Sequence, residues 1–98
     1  MTKYNELIKY SNPARVYENM RDYLNVPIYI SDKPTKKYMV KKPDGSWVHF
    51  GEMGYQDFTK HQDRARQDRY FKRAMNIKGN WFDDPYSANN MAINLLWL

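Results

Sequence analysis

The chain has 98 residues, of which 16 are Lys or Arg and 11 are Asp or Glu, for a net charge of +5 and a pI near 9.4; that length allows one domain with a small core. Sixteen percent aromatic and 42% hydrophobic residues set it apart from disordered chains, and the lack of Cys excludes disulfides, thiolate nucleophiles and Cys-based zinc, with a reducing compartment expected. Met1 to Glu6 carries no signal-peptide core, Thr2 stands where myristoylation needs Gly, and no apolar run approaches the ~18 residues of a membrane span, so a soluble protein without membrane insertion is expected.

Tyr4, Leu7 and Ile8 share one helical face. Asn12 followed by Pro13 is a helix start, because Asn caps and Pro lacks the donor that would be orphaned there. Val16, Tyr17, Met20, Tyr23 and Leu24 then predict a helix from about Pro13 to Asn25. The alternating stretch 25–30 contains Pro27, which confines it to the edge of a sheet. A polar linker over 31–37 separates an N-terminal helical and extended arm, residues 1–35, from a compact hairpin-helix-helix domain, residues 36–98.

The turn Pro43-Asp44-Gly45-Ser46 between two alternating segments predicts a β-hairpin. Alternation puts Tyr38, Val40, Val48 and Phe50 on a core face and Lys37, Met39, Lys41, Trp47 and His49 on the other. That second face has the composition of a binding platform; equally, Trp47 can lie under the chain's own C-terminal helix. From Tyr55 or Gln56 to about Met75 the chain reads helical, with Asp57 or Thr59 as cap. Phe58 and Ala65 lie opposite Tyr70, Phe71 and Ala74 on the wheel, so this helix is either gripped from two sides or broken. Arg66, Arg69, Lys72 and Arg73 form a basic stripe, which leaves the Tyr70 side as the better core candidate. After the stop at Gly79-Asn80, Asp84-Pro85 predicts the start of a last helix whose circumference is almost wholly apolar. Trp97 is expected against Val40 and Phe50, with Leu96 or Leu98 turned outward. The fold class is α+β: a β-hairpin, which the 25–30 segment can extend as an edge strand, packed with a basic helix and an apolar C-terminal helix and preceded by the helical arm.

Residues 33–73 hold eleven of the sixteen Lys and Arg and five of the eleven acids, so this window is net +6 and the rest net −1. A basic window is either merely solvated or faces nucleic acid, an anionic membrane or an acidic protein. Catalytic chemistry has few candidates. His49 and His61, with Asp57 and Asp63, allow a ββα-metal type nuclease as a third reading, but His49 lies on the second strand and the turn has no Asn. No phosphate loop, dinucleotide, hydrolase or zincin motif occurs. Hence no catalytic residue, metal or cofactor is assigned.

Lys37-Tyr38-Met39-Val40, the run from Gly45 to Gly51, Gly54 to Asp63, Arg66, Arg69-Tyr70, Arg73, and Asn80-Trp81 before Asp84-Pro85 resemble a small basic domain of unassigned function that recurs in large double-stranded DNA viruses of eukaryotes. The resemblance covers roughly residues 36–98. Where that pattern often carries a His after the last helical Arg, this chain has Ala74. The resemblance implies a virus-encoded accessory or virion protein and no catalytic residues. The leading reading is a virion-associated structural protein, a minor capsid or cement-like component that binds larger viral proteins, located in the virion and, during assembly, in the host cytoplasm or nucleus. The alternative is a DNA-binding or genome-packaging protein without sequence specificity. Nucleic acid or an acidic partner is expected at Lys37, Lys41, Trp47, His49, Arg66, Arg69, Lys72 and Arg73. Contact with a protein partner is expected at Val16, Tyr17, Met20, Leu24, Leu96 and Leu98.

Overall fold

The structure, a computed structural model, describes residues 3–98. In chain order it contains α1 (Lys3–Leu7), α2 (Pro13–Tyr23), β1 (Tyr29–Ile30), β2 (Lys36–Lys41), β3 (Trp47–Glu52), α3 (Phe58–His61), α4 (Arg64–Met75) and α5 (Ala88–Ala92). A 3-10 turn occupies Trp81–Asp83, and α5 runs on into a π-helical turn over Ile93–Trp97. The fold is α+β: a small antiparallel sheet in the order β1-β2-β3 packed with helices from both ends of the chain.

Local chemistry sets most boundaries. Asn12 Oδ1 accepts from the Arg15 N–H at 3.4 Å with Pro13 in the first turn, and α2 ends where Asn25 turns left-handed at φ 54°, its N–H donating to the Met20 carbonyl at 2.7 Å. The hairpin turns at Gly45, φ +91°, while Asp44 Oδ1 accepts from the Ser46 N–H at 2.9 Å. Its register pairs Tyr38 with Phe50 and Val40 with Val48, as alternation requires. Pro27 leads into β1, which forms one edge of the sheet.

The expected long helix is broken. Gln62 at φ 53° stops α3, and Asp63 starts α4 by accepting from the N–H groups of Ala65 and Arg66 at 2.9 and 3.3 Å. The break resolves the two opposed apolar faces, since each segment takes its own rotation toward the core. The last helix starts three residues after the expected Asp84-Pro85 signal, with Ser87 as cap, because Asp84 Oδ1 accepts instead from the Tyr86 N–H at 2.9 Å. Carbonyls of its last turn are met from elsewhere: Asn19 Nδ2 donates to Leu95 O at 2.9 Å and Gln67 Nε2 to Trp97 O at 2.6 Å.

One core holds the molecule together. Leu7, Val16, Met20 and Ile28 join Tyr38, Val40, Phe50, Met91, Leu95 and Leu96 in a single buried cluster. Residues of the N-terminal arm thus supply one wall of the packing, with the core continuous across Thr35. Of the six residues expected at a partner surface, Val16 and Met20 are buried, Leu24 packs partly buried on the core and Leu96 is 1% exposed, while Tyr17 and Leu98 remain exposed. Of the two residues expected outward, Leu98 is the exposed one, while Leu96 packs toward Gly51 of β3; Trp97, expected against Val40 and Phe50, packs partly buried on the core and stacks on Tyr70 at 4.2 Å with an interplanar angle of 5°. With an apolar circumference the helix carries no phase in its sequence, and π-helical winding shifts its last turn further.

A chain beginning at Thr35 loses four large buried side chains, each worth ~1.5 to 3 kcal/mol, against a typical total of about 5 to 15 kcal/mol. It is expected not to fold cooperatively; a sigmoidal thermal transition by circular dichroism near that of the full chain would show that residues 36–98 hold their own core.

Candidate anion-binding cleft

Lys37 lies at the start of β2, where alternation directs it outward, yet its side chain is 2% exposed and that of its ion-pair partner Asp57 is 1% exposed. Its ammonium donates to Asp57 Oδ2 at 3.1 Å, to Tyr55 O at 2.6 Å and to Tyr10 O at 3.2 Å, which uses all three of its donors. Asp57 is fixed in turn. Its other carboxylate oxygen accepts from the Thr59 hydroxyl, and its N–H donates to Tyr10 O at 3.0 Å. Burial pulls the Lys37 ammonium below the usual lysine range, with the Asp57 charge opposing that shift. The aliphatic stem of Lys37 needs a bare backbone beside it: a Cβ on Gly51 would stand 3.1 Å from Lys37 Cβ and 2.9 Å from Leu96 Cδ1. Gly51 also has φ +81°, a conformation that L side chains rarely adopt.

Above this pair opens a cleft of about 680 Å³. One wall is β3 from His49 to Glu52 and the facing wall is α4, which presents Arg66, Arg69 and Arg73; Ala88, Ala92 and Leu96 of the C-terminal helix also line it. Spacings of three and four residues put the arginines on one side of α4. None has an acidic side chain within ion-pair distance among the described residues. Two neighbouring bases are neutralised locally: Lys36 pairs with Glu52, and Lys72 with Asp68 at 3.1 Å. Tyr70 and Trp97 close one end of the cleft, with the Arg73 guanidinium 5.7 Å from the Tyr70 centroid and the His61 ring 5.3 Å from that of Trp97. Burial pushes the Tyr70 hydroxyl up to about 12, with Arg73 pulling the other way.

Of the eight residues expected at an anionic partner, the fold brings His49, Arg66, Arg69 and Arg73 to this cleft. Lys37 lines it only with its stem, its charge being taken up internally, so it is no ligand-binding cation. Lys72 is on α4 but does not line the cleft, and Lys41 and Trp47 are register partners at the other end of the hairpin, where Trp47 meets Tyr29 edge-on at 5.8 Å. The expected platform is thus divided. Sequence reasoning missed Tyr70 and Trp97 as cleft residues, although Tyr70 stands four after Arg66 and three before Arg73 and so shares their side of the helix.

The histidines and Asp57 have separate engagements. His49 Nδ1 is 2.7 Å from Ser31 Oγ, Asp57 holds Lys37, and His61 Nδ1 accepts from the Asp63 N–H at 2.9 Å. Among the described residues no group of three or more His, Cys, Asp or Glu side chains has the geometry to hold a metal ion. No helix among them is long and apolar enough to cross a membrane. With Nδ1 accepting, the His61 proton sits on Nε2, which is buried without a hydrogen-bond partner.

Residues 26–74 match a family of unknown function (DUF5754). The match includes all three strands and the three cleft arginines but ends before the C-terminal helix. No curated protein matches the chain, and no solved structure does.

Two measurements test this geometry. Asp57→Ala leaves an ammonium buried without its counterion and should cost about 3 to 5 kcal/mol, whereas Lys37→Met combined with Asp57→Ala should cost clearly less than the sum of the two single changes. Additive losses in urea denaturation would mean that the two groups do not depend on each other. For His61, burial and the Arg66 charge lower the pKa below 6.5. The unfolded chain therefore takes up a proton first on acidification, so stability present above pH 6.5 is lost as pH falls through the folded-state value. His61→Asn, which keeps an acceptor for the Asp63 N–H, should flatten that part of the stability profile; an unchanged slope would assign it to other groups.

Proposed function

We propose that this chain, which belongs to the DUF5754 family of unknown function, is a non-catalytic assembly protein of a large DNA virus particle. It is a minor capsid or cement-like component that holds an acidic surface of a larger viral protein. The viral setting rests on the resemblance described above. The single observation that carries the binding mode is the cleft in which Arg66, Arg69 and Arg73 stand without acidic partners opposite β3, beside the apolar Ala92 and Leu96. Guanidinium groups take carboxylates as forked pairs, and apolar surface between them suits a protein side chain.

Nucleic acid is the competing occupant for the same charges. Single strands are held largely by bases stacking on open aromatic faces. Here Tyr70 and Trp97 cover one face of each other, and Arg73 and His61 lie against the same two rings. That arrangement favours a protein partner over stacked bases.

Replacing Arg66, Arg69 and Arg73 together by Glu should leave the melting temperature nearly unchanged and remove the protein from purified particles. Like-charge contacts cost several kcal/mol, roughly a hundredfold or more in affinity. Nuclease treatment of opened particles should not release the wild-type protein. Normal incorporation of the triple variant would remove the cleft from the assembly contact, and release by nuclease would instead indicate phosphate binding, with a steep salt dependence.

A further inference from the structure

The β3 edge that lines the cleft is the last strand of the sheet. Its hydrogen-bonding phase follows from the turn. The Lys42 N–H donates to Ser46 O at 2.7 Å, so in an antiparallel ladder Val40 with Val48 and Tyr38 with Phe50 are also bonded pairs. The intervening residues Trp47 and His49 then aim N–H and C=O away from β2, whereas at Gly51, φ +81°, the regular alternation ends and the Met53 N–H turns in to Thr35 O at 2.9 Å. The opposite side of β2 has the same phase, since the Ser31 N–H donates to Lys37 O at 3.0 Å. No loop or side chain among the described residues bonds the outward backbone groups of Trp47 or His49. The sheet's other edge is unsuited to pairing, being two residues long and preceded closely by Pro27. The β3 edge has six residues and no proline.

We infer that the free edge of β3 accepts an extended acidic segment of a partner protein as a fourth strand, with its carboxylates on Arg66, Arg69 and Arg73. This rests on the reading of the cleft as a site for an acidic protein and adds how the segment is held. The dimensions agree. Side chains two apart on a strand are separated by about 6.8 Å, while the rise from Arg66 to Arg69 is about 4.5 Å and from Arg69 to Arg73 about 6 Å. Alternate acidic residues can therefore meet successive arginines. The residues between them point to the other face of the new strand, away from the arginines. Backbone bonds to Trp47 and His49 supply affinity without regard to sequence, and the arginines select a carboxylate at alternate positions.

The test uses the full chain and a synthetic peptide of alternating Glu and Val. Binding should slow amide hydrogen exchange at Trp47 and His49 and shift the resonances of α4. Two further peptides carry N-methyl groups, one on every Glu amide and the other on every Val amide. An added strand turns only one of these sets toward β3, so one methylated peptide should lose at least about tenfold in affinity through its missing hydrogen bonds, and the other should bind nearly as well as the parent. Equal binding by both methylated peptides, still abolished by reversing the arginine charges, would overturn the added strand and leave the acidic-protein cleft standing. If the parent peptide fails to bind, the strand and the cleft reading fall together, and binding of single-stranded oligothymidylate in its place would give the cleft to nucleic acid.

Discussion

A lysine ammonium with 2% of its side chain exposed cannot be left without acceptors, and the fold meets that demand from three parts of the chain. Lys37 on β2 is held by Asp57 and Tyr55 from the segment after β3 and by Tyr10 from the junction of α1 and α2. Asp57 ties the same junction again through its N–H, and Thr59 does so a third time by accepting from the Asn12 N–H at 2.9 Å. The α1–α2 junction, the first strand of the hairpin and the entry to α3 are thereby fixed to one point. Replacing such a pair with apolar groups is often neutral for stability, so its effect lies more in excluding other arrangements of these segments than in net free energy.

The cleft depends on that fixation. Once the segment from Tyr55 to Thr59 is anchored, the left-handed residue Gln62 and the Asp63 cap redirect the chain, and α4 runs opposite β3. The C-terminal helix is then locked between α2 and α4 by the side chains of Asn19 and Gln67, with Trp97 stacked on Tyr70. A cleft results because the two walls are held from opposite ends, one by a buried charge and the other by an aromatic stack, while the space between them is left unfilled.

What could be read in the sequence was what neighbouring residues decide together. Asn12 with Pro13, the Pro-Asp-Gly-Ser turn, strand alternation and the edge position forced by Pro27 all act within a few residues, and each appears where the spacing puts it. Lys37 was not legible, because alternation predicts an outward side chain and its counterion lies twenty positions later, beyond any local pattern. Asp84-Pro85 and Ser87 are both valid starts, and only the Asx turn to Tyr86 removes the first. The phase of the C-terminal helix was likewise beyond reach, since Leu95, Leu96 and Trp97 offer equivalent hydrophobicity and the choice among them is made by Gly51 and Tyr70. In the cleft, the three arginines were legible as a helical stripe. Their opposition to a free strand edge was not, because it follows from where Asp57 and Gln62 turn the chain.

Charge on the same helix is compensated unevenly. On one side of α4, Lys72 has Asp68 four residues before it, and the two lie 3.1 Å apart in the orientation that stabilises a helix. Toward the cleft, Arg66, Arg69 and Arg73 repel one another with no acid among them, an arrangement that costs the isolated protein a few tenths of a kcal/mol per adjacent pair. An acidic residue on either wall could remove that cost, as Glu52 does for Lys36 at the cleft's rim. Folding does not require these three charges, since none of them satisfies a buried group. The three arginines thus carry a repulsion that neither wall of the cleft offsets, and an acidic segment brought by another molecule would be the group to relieve it.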